Sequence, residues 1–329
     1  MTLLEAELIE NARKPFELNV DDPENDEVLI VTDTEQDEQL WQVLLKAARS
    51  MGIRPTVQIV PKFQYTHSEP PAMVREAMLN SDVTVFVTTE PVVHSDACME
   101  AQRQHIKLVA MEEITADILA GPAASADYDY IYDEGVRLRE IWSRGDHVEI
   151  TTPSGMDLEA SLEGRNGYFA VSKVEEQLEG IDLYVASFPD GEASIAPIEG
   201  TANGTIVWDE TMHELGHLEE PIEADVEDGY ITEIRGGQQA DQFRRFLEEM
   251  DHPDAFALGE IAIGINPGAR ITGSPREDKK ARGYLHLAVG ENTDVGGTLE
   301  APTHIDGVVG GATLKIDGEL IVEDGEIVA

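Results

Sequence analysis

Short apolar runs separated by longer amphipathic stretches fill the first 143 residues of the chain. The runs at 27–33, 56–61, 83–89 and 106–111 are rich in Val, Ile and Leu, which is typical of buried strands. The stretches between them are long enough for crossover helices, and this alternation predicts a parallel α/β domain at residues 1–143. No G-x-G-x-x-G motif follows the first run, so the sequence predicts no dinucleotide site of that kind.

The pattern changes after a predicted helix at 127–144. Apolar and polar residues then alternate with a period of two, and glycines separate the alternating segments, as in β-hairpins. One further helix is predicted at 240–250, and strand-like segments follow from residue 256 onward. We therefore place a domain boundary between residues 143 and 144 and predict an α+β domain at 144–329.

The charge of the chain excludes several classes of partner. There are 66 acidic residues against 23 basic ones, which leaves a formal net charge of -43. Such a surface repels nucleic acid and anionic membranes, so neither is expected as a partner. Acidic residues occur in nearly every segment and form no single tail, which indicates a solvated acidic surface. Because salt screens the resulting repulsion, we expect a halophilic source.

Cysteine content and hydropathy indicate a cytoplasmic protein. The one cysteine, Cys98, permits no intramolecular disulfide and no thiolate-rich zinc site, and we expect it to be a small buried residue. The first 22 residues have neither a basic segment nor a long apolar run, and no stretch reaches the roughly 18 apolar residues that span a bilayer. We therefore expect the protein to stay in the cytoplasm.

Five side chains in the C-terminal half are candidate metal ligands. His304 and Asp306 stand at i and i+2 in T-H-I-D, so an extended strand directs both side chains to one face. Glu192, Glu260 and His286 lie in similar glycine-bounded segments. The last two interrupt otherwise apolar runs, where a lone charge or imidazole is costly to bury without a partner. Such oxygen and nitrogen donors suit divalent metal ions, alone or in pairs.

The segments F-P-D-G-E-A-S-I-A-P, L-G-E-I-A-I-G, G-Y-L-H-L-A-V-G and T-H-I-D follow in this order from residue 188 onward. They resemble the metallo-aminopeptidase family typified by aminopeptidase T. The resemblance implies a homodimer in which each chain binds two divalent ions (zinc, cobalt or manganese) and cleaves a peptide or small amide with metal-activated water. It implies five metal ligands, of which the two glutamates are also catalytic: Glu192, Glu260, His286, His304 and Asp306.

Other segments resemble a second family of the same superfamily, that of 2,5-dihydroxypyridine 5,6-dioxygenase, an iron(II) enzyme that opens an aromatic ring. G-E-N-T-D-V-G-G at 290–297 and the C-terminal stretch at 301–328 carry this resemblance. The segment V-V-H-S-D-A is similar to the one that supplies an active-site histidine in that family. The resemblance therefore implies that His94 is an acid or base.

The two resemblances differ in their ligands. The dioxygenase has a histidine where this chain has Glu260, and it has no histidine at the position of His286. The aminopeptidase family carries a tyrosine close to the metals where this chain has Thr293. Because the ligand set weighs more, we expect the hydrolase. The alternative is a dioxygenase with one Fe(II) held by two histidines and a carboxylate, namely His286, His304 and Asp306. A third alternative is a noncatalytic protein with a vestigial site. The presence of all five candidate ligands argues against it.

One further motif, H-E-L-G-H at 213–217, matches the zincin pattern, in which a helix presents two zinc ligands. Gly216 lies inside the motif and Pro221 follows it, so little helix is available. We therefore predict a polar loop here and no metal site.

Overall fold

The computed structural model describes residues 8–65, 68–174 and 184–329. These form two compact units. The first comprises the described residues of Met1–Tyr128 and Ala170–Asp190, and the second comprises Asp129–Phe169 and Gly191–Ala329. The domain boundary expected between residues 143 and 144 lies within the second unit and stays a prediction.

The helices and strands are named here in chain order. The helices are α1 (Lys14–Asn19), α2 (Glu38–Ser50), α3 (Ala72–Met78), α4 (Asp96–Arg103), α5 (Ala116–Ala120), α6 (Tyr128–Arg144), α7 (Gln238–Glu249) and α8 (Pro275–Asp278). The strands are β1 (Val28–Asp33), β2 (Thr56–Val60), β3 (Val83–Val87), β4 (Lys107–Ala110), β5 (His147–Thr151), β6 (Asp157–Ser161), β7 (Tyr168–Ala170), β8 (Val185–Ser187), β9 (Glu192–Ile195), β10 (Asn203–Trp208), β11 (Thr211–Met212), β12 (Gly216–His217), β13 (Ile222–Glu227), β14 (Tyr230–Arg235), β15 (Leu258–Gly264), β16 (Leu285–Gly290), β17 (His304–Val309), β18 (Thr313–Ile316), β19 (Glu319–Glu323) and β20 (Glu326–Ile327).

A five-stranded parallel sheet in the order β2-β1-β3-β4-β8 forms the centre of the first unit. The four strands predicted from apolar runs are confirmed as β1 to β4, and so is their parallel α/β arrangement. Every residue of β1 and β3 is buried, as expected for strands covered on both faces. The fifth strand, β8, comes from much later in the chain, and the sequence pattern does not predict it.

The helices of this unit begin where side chains cap their first free N–H groups. Asp37 accepts a hydrogen bond from Gln39 N–H at the start of α2, and Ser95 accepts one from Cys98 N–H at the start of α4. Cys98 itself is buried in the apolar core, with its Sγ 3.9 Å from Met78 Sδ, so its expected burial is confirmed. Burial raises the pKa of the Cys98 thiol to about 12.

Two antiparallel sheets form most of the second unit. One has eight strands in the order β14-β13-β10-β6-β5-β18-β19-β20, and the other has seven in the order β12-β11-β17-β16-β15-β9-β7. The predicted helices at 127–144 and 240–250 are confirmed as α6 and α7. The predicted mixture of helices and hairpins in the C-terminal half is therefore confirmed.

Trp208 joins the two sheets of this unit. It lies at the end of β10 in the larger sheet, and its Nε1 donates a hydrogen bond of 3.1 Å to Leu287 O on β16 of the smaller one. Its ring covers Gly307 on β17 so closely that a Cβ atom there would lie 2.2 Å from Trp208 Cδ1. On its other side the ring packs edge-on against Phe243 of α7. The sheets thus approach closely because residue 307 has no side chain.

None of the helices in the described parts of the chain has the length and apolar character that crossing a membrane requires. Residues 1–7 of the N-terminal segment, from which the sequence predicts no targeting signal, lie outside the described residues.

Candidate metal centre

Strand register brings the predicted ligands to one face of the seven-stranded sheet. Asp306 on β17 pairs with Ala288 on β16, and Ala288 pairs with Glu260 on β15, so these residues form a row across three strands. Directly opposed residues share a face, and so do residues two apart in one strand. His304 and His286 therefore lie on the same face as Asp306.

The fifth candidate joins this face from the next strand. Glu192 on β9 pairs with Gly264 on β15, four residues along the strand from Glu260. The positions between the ligands on this face carry small side chains or none, which leaves room above the sheet. They are Ala262, Gly264, Ala288 and Gly290.

The opposite face of the same strands is apolar. Ile261 and Ile263 on β15 and Leu285, Leu287 and Val289 on β16 alternate with the site residues and are all fully buried. This alternation is the reason why charged residues interrupt apolar runs in the sequence. One face anchors the sheet in the core, and the other presents polar side chains.

The ligand atoms of these side chains lie close together. His304 Nε2 is 3.2 Å from both Glu260 Oε2 and Asp306 Oδ1. His286 Nε2 is 3.5 Å from Glu192 Oε2 and 3.9 Å from Asp306 Oδ1. Two trios result, each with its ligand atoms within 4.8 Å of one another. We name them the Asp306 trio (Glu260, His304, Asp306) and the Glu192 trio (Glu192, Glu260, His286).

The two histidines fit a metal ion. His304 Nδ1 is 2.7 Å from the carbonyl oxygen of Glu291, which can only accept, so Nδ1 carries a proton and Nε2 faces the carboxylates. A hydrogen bond of this kind commonly orients a metal-binding histidine. His286 is fully buried, and among the described residues neither of its ring nitrogens has a hydrogen-bond partner. A buried imidazole without a partner is costly, and a metal ion would satisfy it.

Two lysines that sequence analysis missed lie among these ligands. Lys279 Nζ is 2.6 Å from Asp306 Oδ2, and Lys280 Nζ is 2.5 Å from Glu192 Oε2. A signal was available, because the chain has only eight lysines and these two are adjacent, just before β16. Counting the carboxylates without these two ammonium groups overstated the negative charge of the site.

Gly264 allows the lysine segment to approach the sheet. A Cβ atom at this position would lie 2.2 Å from Ala281 O and 2.8 Å from the carbonyl carbon of Lys280. Asn266 N–H donates a hydrogen bond of 2.9 Å to Lys280 O, which fixes the backbone of the segment at the end of β15. Lys280 is therefore held over the site by its backbone as well as by its ion pair.

The buried charges shift one another's pKa values. Burial raises the pKa of Glu192, but Lys280 and Lys279 outweigh this effect and bring the pKa to about 2. Burial acts on Asp306 in the same direction, and Lys279 and His304 hold its pKa well below the ordinary value. Burial lowers the pKa of His304, whereas Asp306 raises it well above its ordinary value. The two carboxylates are thus ionised at neutral pH, and a metal ion at His304 Nε2 must displace a proton.

The H-E-L-G-H segment forms the β11–β12 hairpin, so the predicted lack of a zincin helix is confirmed. The absence of a metal site in this segment stays a prediction, but the structure places His213 beside one of the candidate ligands. Its Nδ1 lies 3.3 Å from Asp306 Oδ2 and accepts a hydrogen bond of 3.4 Å from Asp306 N–H. The reason is that β11 pairs with β17 at Met212 and Gly307, which brings the hairpin alongside Asp306. His217, in contrast, is exposed.

His94 belongs to the first unit, where it is exposed in the turn that precedes Ser95 and α4. Its role as an acid or base stays a prediction, as does the ligand role of the five side chains on the sheet face.

A parallel α/β unit, and an antiparallel unit that gathers candidate metal ligands on one sheet face, are the features of a class of two-part candidate metalloenzymes. Within this class the chain belongs to the family described as NicX: 2,5-dihydroxypyridine 5,6-dioxygenase, whose model matches residues 7–329. In sequence it is 29% identical over 154 residues to the 2,5-dihydroxypyridine 5,6-dioxygenase of Pseudomonas putida KT2440. That alignment covers 43% of this chain and 44% of the relative, less than half the relative's length.

Two solved structures share the fold. The structure of the dioxygenase from Pseudomonas putida KT2440 has a TM-score of 0.81 at 18% identity and covers 99% of this chain and 98% of its own. The structure of AmpT from Thermus thermophilus has a TM-score of 0.73 at 15% identity and covers 98% of this chain and 99% of its own. The resemblance to aminopeptidase T that the sequence indicates is thus a shared fold.

The family match overturns the predicted function. We expected a hydrolase of the aminopeptidase T type that acts on a peptide or small amide, and this prediction is wrong, because the family model and the curated relative both name a dioxygenase. The error has a physical origin. The five-residue ligand set that weighed in favour of the hydrolase includes three carboxylates, and two of these are neutralised by lysines that the sequence analysis did not consider.

Proposed function

We propose that this chain is a dioxygenase that binds one iron(II) ion and opens a hydroxylated N-heteroaromatic ring of the 2,5-dihydroxypyridine type. The observation that carries the proposal is the position of Asp306 Oδ1, which faces the Nε2 atoms of both His304 and His286 at 3.2 and 3.9 Å. Two imidazoles and one carboxylate are the donors that non-haem iron(II) oxygenases use. Membership of the dioxygenase family supports the same reaction.

His286, His304 and Asp306 would hold the ion, and Glu260 lies beside them as a further carboxylate within reach of His304. A bound iron(II) ion would let electrons pass from the ionised ring to dioxygen, so that the ring is the group oxidised, both oxygen atoms enter the product and the iron is not consumed. The sequence resemblance implies a histidine at the position of Glu260 in the dioxygenase family, whereas this chain would provide its second imidazole, His286, from β16.

The chain's own residues prepare the site for an anionic ring. Ala288 and Gly290 leave space on the ligand-bearing face, and the sheet beneath them excludes water. Because Lys279 and Lys280 neutralise two of the three carboxylates, one bound divalent ion would leave the site with one net positive charge, which favours a hydroxylated ring in its ionised form. Lys279 also holds Asp306 Oδ2, so that Oδ1 stays directed at the two imidazoles.

The test is oxygen consumption by the protein after anaerobic loading with Fe(II). With 2,5-dihydroxypyridine as substrate, we expect about one dioxygen consumed per ring and both atoms of ¹⁸O₂ in the product. His304→Ala and Asp306→Ala should lose bound iron and at least about 100-fold in rate, because each removes a ligand. His217→Ala, which alters an exposed histidine of the same sheet, is the matched control and should behave as the wild type.

Two results would contradict the proposal. One is iron-loaded protein that consumes no oxygen with any dihydroxypyridine. The other is a ring-opened product that contains ¹⁸O from water alone, since hydrolysis and not dioxygenation would then be the reaction.

A further inference from the structure

The Glu192 trio has the donors for a second metal ion, but a cation of the chain already lies against one of its carboxylate oxygens. Glu192 Oε2 is the atom that faces His286 Nε2 at 3.5 Å, and Lys280 Nζ lies 2.5 Å from this same oxygen. A metal ion bound between Glu192 and His286 would sit directly against the ammonium group. Like charges repel strongly in such a buried place, where water screens them little.

Lys280 is built into the site. Its side chain is almost fully buried, although lysine is seldom buried without a partner. The close approach of its backbone at Gly264 and the hydrogen bond from Asn266 N–H to its carbonyl hold it there. A surface lysine that happened to touch a carboxylate would have neither this burial nor this backbone support.

The charges of the site agree with a single metal ion. Three carboxylates and two ammonium groups leave one net negative charge when the histidines are neutral. One divalent ion changes the net charge to one positive, which suits an anionic ligand. Two divalent ions would leave three positive charges in a buried site, and such an excess of one sign is costly without partners.

We propose that Lys280 takes the place of a second metal cation, so that the chain binds one metal ion although it carries donors for two. Glu192 is then a partner of Lys280 and not a metal ligand. The inference rests on the proposed function for the identity of the first ion, but the number of ions is measured separately from the reaction.

The experiment counts metal ions in the whole chain. Metal-free wild type and Lys280→Met are titrated anaerobically with Mn(II), separated from free metal, and analysed for manganese and protein. We expect close to one ion per chain for the wild type and close to two for Lys280→Met, where Glu192 has lost its cation. Electron paramagnetic resonance of the Mn(II) should show an isolated ion in the wild type and a coupled pair in the variant.

Three controls make the result specific to Lys280. Lys280→Arg keeps the charge and should stay at one ion. Lys279→Met removes the neighbouring charge, whose partner is Asp306, and should also stay at one. The double variant Lys280→Met/Glu192→Gln should return to one, because the Glu192 trio has then lost a ligand. Circular dichroism and gel filtration establish that each variant is folded, and Lys280→Gln replaces Lys280→Met if the latter is not.

Two ions in the wild type, no bound metal in the wild type, or one ion in a folded Lys280→Met would each overturn the inference. Its failure differs from that of the proposed function. Ring opening by a protein with two ions per chain would remove the role of Lys280 only. A single ion without oxygen consumption would remove the dioxygenase only.

Discussion

Asp306 is the residue around which the site is arranged, because its two oxygens face different groups. Oδ1 is directed at the imidazoles of His304 and His286, whereas Oδ2 lies against Lys279 Nζ and His213 Nδ1. A carboxylate held in this way offers a metal ion one oxygen and is fixed by the other. Lys279, which holds Oδ2, and His213, which accepts from Asp306 N–H, would therefore set the orientation of Asp306 without being ligands themselves.

His213 lets this orienting effect be measured. His213→Ala removes the side chain that accepts from Asp306 N–H and lies against Oδ2, so Asp306 becomes less well oriented. We expect metal affinity to fall about 10–100-fold while the number of bound ions stays the same, as is usual for residues that support a ligand. Isothermal titration calorimetry with Mn(II) measures the metal affinity, and His217→Ala is the control. Equal affinities in both variants would show that His213 does not support Asp306.

Cys98 gives a prediction for the core of the first unit. Burial raises the pKa of its thiol to about 12, so the thiol stays protonated at pH 8, and the side chain is fully buried. Since the thiolate is the reactive form, we expect no reaction with Ellman's reagent in the folded protein at pH 8. In guanidinium chloride one thiol per chain should react. Rapid reaction of one equivalent in the folded protein would contradict the burial of Cys98.

At the scale of single elements, the alternation of residues along β15, β16 and β17 accounts for both stability and site. Large apolar residues on one face are buried in the core, and candidate ligands and small residues alternate on the other. Gly307 is the exception on the apolar face. It has no side chain because the ring of Trp208 occupies the space that a Cβ atom would need.

Gly307→Ala tests this contact between the sheets. The added methyl group would lie 2.2 Å from Trp208 Cδ1, so the ring or the strands must shift, and we expect a loss of about 1–3 kcal/mol in the free energy of unfolding. The matched control is Gly310→Ala, whose methyl group would meet the flexible end of Glu210 and should change stability by less than about 0.5 kcal/mol. Urea unfolding of both variants gives the values. Equal stability of the two would exclude close packing at Trp208.

At the scale of the whole molecule, the net charge of -43 is the main source of electrostatic repulsion within the folded protein. The chain has only 23 basic residues, and two of its eight lysines form ion pairs with buried carboxylates of the site. The acidic residues exceed the basic ones by 43, so the charge of the protein is mostly of one sign. The compact state repels itself more strongly than the expanded chain does, because folding brings the charges closer together.

Salt should relieve this repulsion. The Debye length falls from about 30 Å at 0.01 M to about 3 Å at 1 M, so we expect the melting temperature to rise by at least several degrees between these concentrations of KCl. Thermal unfolding followed by circular dichroism measures the shift. Sucrose, which stabilises proteins without screening charge, is the control and should have a smaller effect. A flat or falling melting temperature in KCl would remove the argument for a halophilic source.

Features that depend on neighbouring residues along the chain were predictable. The periods of apolar residues predicted β1 to β4, the helices α6 and α7 and the change of architecture between the two halves. The i, i+2 spacing of His304 and Asp306 placed both on one face of a strand. The free-energy cost of burying Glu260 and His286 alone indicated that each binds a partner, such as a metal ion. All these inferences use only local geometry and the free energy of burial.

The sequence by itself therefore determined β1 to β4, α6, α7 and the five candidate donors, whereas the tertiary structure decided which other groups lie among these donors. Lys279, Lys280 and His213 reach the carboxylates from a crossing segment and from the β11 hairpin, and β8 completes a sheet whose other strands lie far earlier in the chain. Such contacts depend on how strands pair and where the backbone can pass, as at Gly264. No local period encodes them, and the charge of the site depends on them.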